Sequence, residues 1–128
     1  KSKMDENELS KIIVNSCFKI HSRLGPGLLE SVYEAILFHE LNKLGLKVKR
    51  QKSIPAVWED IYLDIGFRLD LIIENKVIIE IKSVEQISNV HLKQVLTYLR
   101  VTDLKLGLLV NFNEALIKNG IKRVVNGL

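Results

Sequence analysis

Asp70 and the run Glu80-Ile81-Lys82 lie on either side of a short polar turn, and they are the residues of this chain best placed to do chemistry. The segment reads Gly66-Phe67-Arg68-Leu69-Asp70-Leu71-Ile72-Ile73, then Glu74-Asn75-Lys76, then Val77-Ile78-Ile79-Glu80-Ile81-Lys82. Two apolar, β-branched runs around a polar turn spell a β-hairpin. With Ile73 facing Val77, the ladder sets Asp70 opposite Glu80, and alternation puts Lys82 on the face of Glu80. Carboxylates directly opposed on a sheet repel. A divalent cation, Mg²⁺ or Mn²⁺, prefers carboxylate oxygens and retained waters and would reconcile them. Lys82 beside it can orient or deprotonate a water, or stabilise charge on a phosphate. The same residues also read as a solvated sheet face on which Arg68 and Lys82 pair with the acids. The flanking residues speak for burial: Leu69, Leu71, Ile79 and Ile81 are expected to fill one face, with Ile72 and Ile78 beside the carboxylates on the other.

The elements that must hold this hairpin are legible from periodicity. Apolar positions at Leu9, Ile12, Ile13, Cys17 and Ile20 predict an amphipathic helix from about Asp5 to Ser22. Leu24-Gly25-Pro26-Gly27 breaks it. A second helix is expected from about Leu28 to Leu44, with Leu29, Val32, Ile36, Leu37, Leu41 and Leu44 inward and Gly45 as C-cap. Lys47 to Ile54 reads as an exposed strand ended by Pro55, and Trp58-Glu59-Asp60 as a turn. After the hairpin, Ser88 or Asn89 can cap a third helix from about Val90 to Val101. Leu104 to Asn111 reads as a buried strand and Ile121 to Val125 as a short final one. The order ααβββαβ(β) predicts an α/β sandwich with a mixed sheet.

Composition bounds the class. A chain of 128 residues makes one domain, residues 1–128, large enough for a real core. Hydrophobic residues are 47% and charged residues 27%, as in a soluble globular protein. No apolar run approaches the roughly 18 residues that span a bilayer, so no membrane partner is expected. The N-terminus is polar and helical in pattern, with Lys1-Ser2-Lys3 ahead of Met4, and carries no signal-peptide pattern. Cys17 is the sole cysteine, which excludes an internal disulfide and fits a reducing cytoplasm. The net charge of +4 permits contact with nucleic acid without requiring it.

Asp70 followed by Glu80-x-Lys82 resembles the PD-(D/E)xK nuclease superfamily, with its restriction-endonuclease-like fold, a central mixed β-sheet flanked by helices. Gly66-x-x-x-Asp70 and Gln94-x-x-x-Tyr98 are similar to two further motifs of the RecB-like branch. Gly27-Leu28-Leu29-Glu30-Ser31-Val32-Tyr33 spells the string that names the GxxExxY protein family. The resemblance runs from about His21 to Asn126, with the motifs in order. It departs at Leu69, where the superfamily often has Pro. It implies a metal-dependent nuclease acting on nucleic acid, DNA favoured over RNA, with a homodimer or partner protein as a further option. In that reading Asp70, Glu80, the carbonyl of Ile81 and Glu30 hold Mg²⁺ or Mn²⁺, and Lys82 is catalytic. The alternative is a binding or interaction module on the same fold, without turnover.

The remaining candidates carry two readings each. Glu30 near a helix start also simply complements the dipole. Tyr33 holds that carboxylate or a phosphate oxygen, or is a core tyrosine with a satisfied hydroxyl. His91, Gln94 and Tyr98 share one side of the third helix, with Leu92, Val95, Leu96 and Leu99 on the other. Gln94 and Tyr98 are expected to position substrate, and His91 to be a surface residue. His21 and Gly25-Pro26-Gly27 read best as an interhelical turn. Lys43, Lys47, Lys49, Arg50 and Lys52 form a basic stretch that suits a phosphate backbone and equally a protected edge strand.

Overall fold

A computed structural model describes residues 3–128, and of residues 64 and 65 only the backbone. Lys1 and Ser2, in the stretch before Met4, lie outside the described residues. Helix α1 spans Glu6–Leu24 and α2 Glu30–Lys43. Strands β1 (Val48–Trp58), β2 (Ile61–Ile73) and β3 (Val77–Lys82) follow, then α3 (Asn89–Thr102), β4 (Leu106–Asn111), a 3₁₀ turn (Ile117–Gly120) and β5 (Ile121–Val125). The strands form one sheet in the order β1-β2-β3-β4-β5. All neighbours are antiparallel except β3 and β4, which run parallel because α3 carries the chain back between them. The expected α/β architecture is the one observed, and no described helix is long and apolar enough to cross a membrane.

Each face of the sheet buries its own apolar cluster. Leu9, Ile13, Cys17 and Ile20 of α1 and Tyr33, Leu37 and Leu41 of α2 pack on Leu71, Ile73, Ile79, Ile81, Leu108 and Val110. On the other face, Val95 and Leu99 of α3 meet Leu69, Ile72, Ile78 and Leu109. Helix α1 starts where Asp5 and Glu8 exchange side-chain bonds with each other's backbone N–H, which satisfies donors the first turn leaves open.

Two expectations need correction. Helix α2 turns Tyr33, Glu34, Leu37 and Leu41 inward, while Leu29, Val32 and Leu44 are exposed. The helix is apolar on several sides, so its pattern alone did not define a face. The stack of Tyr33 on Phe112, with ring centroids 4.4 Å apart, selects it. Strand β1 does not stop at Pro55 but continues to Trp58. It is an edge strand, where a missing N–H is tolerated, and its register with β2 shifts between Pro55 and Ala56.

That irregularity explains Gly66. It pairs with Pro55, and a Cβ there would stand 2.1 Å from the carbonyl oxygen of Ile54 and 2.8 Å from the N of Ala56. Both obstacles are backbone, so relief requires moving a strand. We expect Gly66→Ala to cost on the order of 1–3 kcal/mol in chemical denaturation. An unchanged midpoint and slope would show that the two strands do not approach this closely in solution.

Candidate active site

The turn between β2 and β3 closes with Lys76 N–H donating to the Ile73 carbonyl at 2.9 Å. Glu74 and Asn75 both sit at positive φ (54° and 55°), the backbone that a tight, right-twisting hairpin demands. Ile73 pairs with Val77, Ile72 with Ile78 and Leu71 with Ile79, and there the described β2–β3 pairing ends. Beyond it, two side chains take over the ladder. The Asp70 N–H donates to Glu80 Oε2 at 2.9 Å, and the Ile81 N–H donates to Asp70 Oδ2 at 2.8 Å. Each carboxylate thus occupies the gap between the strands and is gripped by the backbone of the other strand.

The alternation of β2 slips at the same level. Leu69 packs with Ile72 and Ile78 rather than with Leu71, against the expected arrangement. Asp70 is thereby turned toward α2. Its neighbour Gln51 on β1 has φ 49°, unusual for a residue with a side chain. Gln51 Nε2 donates to Glu34 Oε1 at 2.7 Å and reaches Asp70 Oδ1 at 3.4 Å. Arg50 Nε bonds the other Glu34 oxygen at 3.1 Å, and its guanidinium lies 5.3 Å from the centroid of the Phe38 ring. Glu34 is therefore buried but paired.

Burial dominates the electrostatics of the carboxylate pair. It raises Asp70 above the ordinary aspartate range, against the pull of the Ile81 N–H. Glu80, only 5% exposed, is pushed up to about 8 by burial first and then by the charge of Asp70. Lys82 acts electrostatically on both, favouring their ionised forms, while Glu34 opposes it. Such a pair offers hard oxygen donors and an unmet need for positive charge, so its residues fit a divalent cation that keeps most of its waters. Among the described residues no group of three or more His, Cys, Asp or Glu is placed to hold a metal ion. Two carboxylates suffice for an ion that also binds substrate phosphate.

The structure places the other predicted residues unevenly. Lys82 ends β3 in register with Asn111. Asn111 bonds the Val84 N–H (3.1 Å) and carbonyl (2.9 Å), pinning the chain that leaves the site. Tyr98 of α3 is stacked on Phe67 at 4.3 Å, and its hydroxyl pKa is raised by burial and by the charges of Glu80 and Asp70. Gln94 lies one turn earlier on α3 and is exposed. Glu30 accepts the Ser83 N–H at 3.0 Å, at the exit of β3. The α2 acid that acts electrostatically on Asp70 and Glu80 is Glu34.

Of the two readings of Tyr33, the structure shows the core tyrosine with a satisfied hydroxyl. It is fully buried, donates to the Gly25 carbonyl at 2.6 Å and accepts the Leu28 N–H at 3.2 Å. Its hydroxyl is consumed in fastening the α1–α2 turn. His21 Nε2 lies 2.8 Å from the Glu114 carbonyl oxygen, and His91 Nδ1 accepts the Ser88 N–H at the start of α3. In the basic stretch, Arg50 and Lys43 are spent on Glu34 and Glu40. Sequence reasoning missed Gln51 and gave Glu34 no role. Glu34 was visible one turn beyond Glu30, whereas nothing in the sequence marks the positive φ of Gln51.

An α/β sheet that parts around a carboxylate pair, with a lysine two residues on, is an arrangement consistent with the restriction-endonuclease-like fold. The chain belongs to the PD-(D/E)XK nuclease superfamily, whose family model matches residues 7–124. Comparison with curated proteins and with solved structures returns no match.

The raised pKa of Glu80 has a signed consequence. In metal-free protein, ionising this group costs more folded than unfolded, so its contribution is fully present below about 4.5 and is lost as pH rises toward 8. We expect the melting temperature in chelator to fall across that window in the wild type and less steeply in Glu80→Gln, which keeps an acceptor for the Asp70 N–H. Parallel pH profiles for the two proteins would show that Glu80 ionises freely.

Proposed function

We propose that this protein is a metal-dependent nuclease that hydrolyses phosphodiester bonds of nucleic acid, with DNA the favoured substrate. The observation that carries the reading is the Asp70–Glu80 pair in the parted strands, each carboxylate held by the other strand's N–H and Lys82 close behind. Asp70, Glu80 and the Ile81 carbonyl would hold Mg²⁺ or Mn²⁺. Bound there, such an ion supplies Lewis-acid polarisation of the phosphate and a more acidic water. Lys82 stabilises the charge that develops on the phosphate, or takes a proton from the attacking water. Tyr98, fixed by its stack on Phe67, and Gln94 beside it position the substrate strand. The strings Gly27-x-x-Glu30-x-x-Tyr33 and Gln94-x-x-x-Tyr98 support placement in the GxxExxY family and near the RecB-like branch. In that placement Glu30, at the exit of β3, would add a further acid for the metal, directly or through water. Cys17 takes no part, since it is buried and its thiol is pushed up to about 12.

Two measurements test this reading. Titration calorimetry should show Mn²⁺ or Mg²⁺ binding to the wild type that is lost or much weakened in Asp70→Asn, with no fall in metal-free thermal stability because a repulsion is relieved. Equal affinities in the two proteins would remove the carboxylates as ligands. Cleavage of single- and double-stranded DNA and RNA with each metal should fall roughly a hundredfold or more in Lys82→Ala, with the fold intact by circular dichroism. A wild type that binds nucleic acid yet cleaves none of these substrates would instead establish a binding module.

A further inference from the structure

Asp70 does not stand alone on its side of β2. The pairing Ser53↔Arg68 and Pro55↔Gly66 continues outward from Gln51 and Asp70 along the same two strands. Phe67 and Leu69 pack toward α3, so Arg68 between them shares the side of Asp70, as alternation requires. Arg68 and Ser53 are both exposed. The Arg68 side chain makes no hydrogen bond or ion pair with any described residue, unlike that of Arg50. A groove of about 580 Å³ opens here, lined among others by Gln51, Ser53, Pro55, Gly66 and Arg68. Two strand residues span roughly 7 Å, so Arg68 stands about that far along β2 from Asp70, away from the hairpin turn, as Lys82 does from Glu80 along β3. Both cations therefore lie at the same, open end of the carboxylate pair. Past the shift at Pro55 the hairpin ends in the acidic turn Glu59-Asp60, which disfavours a polyanion.

We propose that this groove binds the phosphodiester backbone of the nucleic acid beside the bond to be cut, with Arg68 as the phosphate clamp and Ser53 as its hydroxyl partner. A guanidinium presents paired N–H donors to phosphate oxygens, and a hydroxyl completes the contact. The clamp rests on the nuclease reading for its orientation relative to the metal site. It makes no base contact, so the preference it creates is for an anionic strand irrespective of sequence.

The test is anisotropy binding of a fluorescein-labelled 20-nucleotide strand in chelator over a range of salt. Arg68→Ala should weaken binding about tenfold at 0.1 M salt and lower the slope of log K against log salt by about one. Arg68→Lys should recover the slope but only part of the affinity, because a point charge replaces a fork. Arg100→Ala, on the exposed side of α3, should leave the slope unchanged. The melting temperature of Arg68→Ala should match the wild type, so lost binding cannot be charged to misfolding. An unchanged slope in Arg68→Ala overturns the clamp even if the wild type cleaves. A wild type that binds with the expected slopes but cleaves nothing keeps the clamp and overturns the nuclease reading. A wild type that binds no strand at all overturns both.

Discussion

Two carboxylates set side by side, Glu80 buried and Asp70 half-buried, are the constraint on which this molecule depends. Asp70 and Glu80 stand where β2 and β3 part, and the parting is what gives them donors. In a continued ladder the N–H groups of Asp70 and Ile81 would be available to carbonyls. Here they grip carboxylate oxygens instead, so no backbone donor is orphaned and each acid has a partner. The exchange lowers the cost of burial without removing it, since both acids still titrate above their ordinary ranges. A site of this kind is held in tension by the fold around it, and a cation is the natural way to relax it.

The rest of the architecture keeps that tension local. The apolar residues on both sides of the hairpin anchor it to α1 and α2 on one face and α3 on the other. Glu34 brings a third acid near, and Arg50 and Gln51 neutralise or satisfy it. Gln51 does so from a backbone conformation that costs energy for a residue with a side chain, at the level where the alternation of β2 slips. Such outliers persist when surrounding structure over-determines them, and they cluster at functional sites. Asn111 and the Glu30–Ser83 bond then fix the chain as it leaves Lys82, which limits where the ammonium can go.

Function follows from what the fold leaves open. Helices cover the carboxylate region from both sides, but the β1–β2 hairpin runs on past them, with Ser53 and Arg68 exposed near the site and exposed apolar residues such as Trp58 and Tyr62 toward its tip. A polymer substrate needs such an open approach, since a closed pocket admits only small molecules. The mild positive charge of the chain supports the same reading, and its basic stretch contributes less than its length suggests because two of its members are engaged with glutamates.

The chemistry-bearing hairpin was legible in the sequence because it is local. Turn residues, β-branched runs and a short register argument place Asp70 near Glu80 without reference to the rest of the chain, and β3 to β5 and α3 follow from the same kind of signal. What the sequence by itself determined is thus the fold class, the family and the acidic pair. The tertiary structure decided which face of α2 is inward, because that helix is apolar on several sides and its partners, Phe112 stacked on Tyr33 and Arg50 and Gln51 bonded to Glu34, come from elsewhere in the chain. It assigned Tyr33 to the α1–α2 turn and brought Glu34 toward the acids, choices that depend on where a helix lands on a sheet. It also decided the course of β1 past Pro55, the slip at Asp70 and the conformation of Gln51, because these depend on how β1 seats on β2 and reaches Glu34 of α2, which no periodic pattern along β1 marks. Local patterns encode which residues can form a site, and only packing decides which of them arrive.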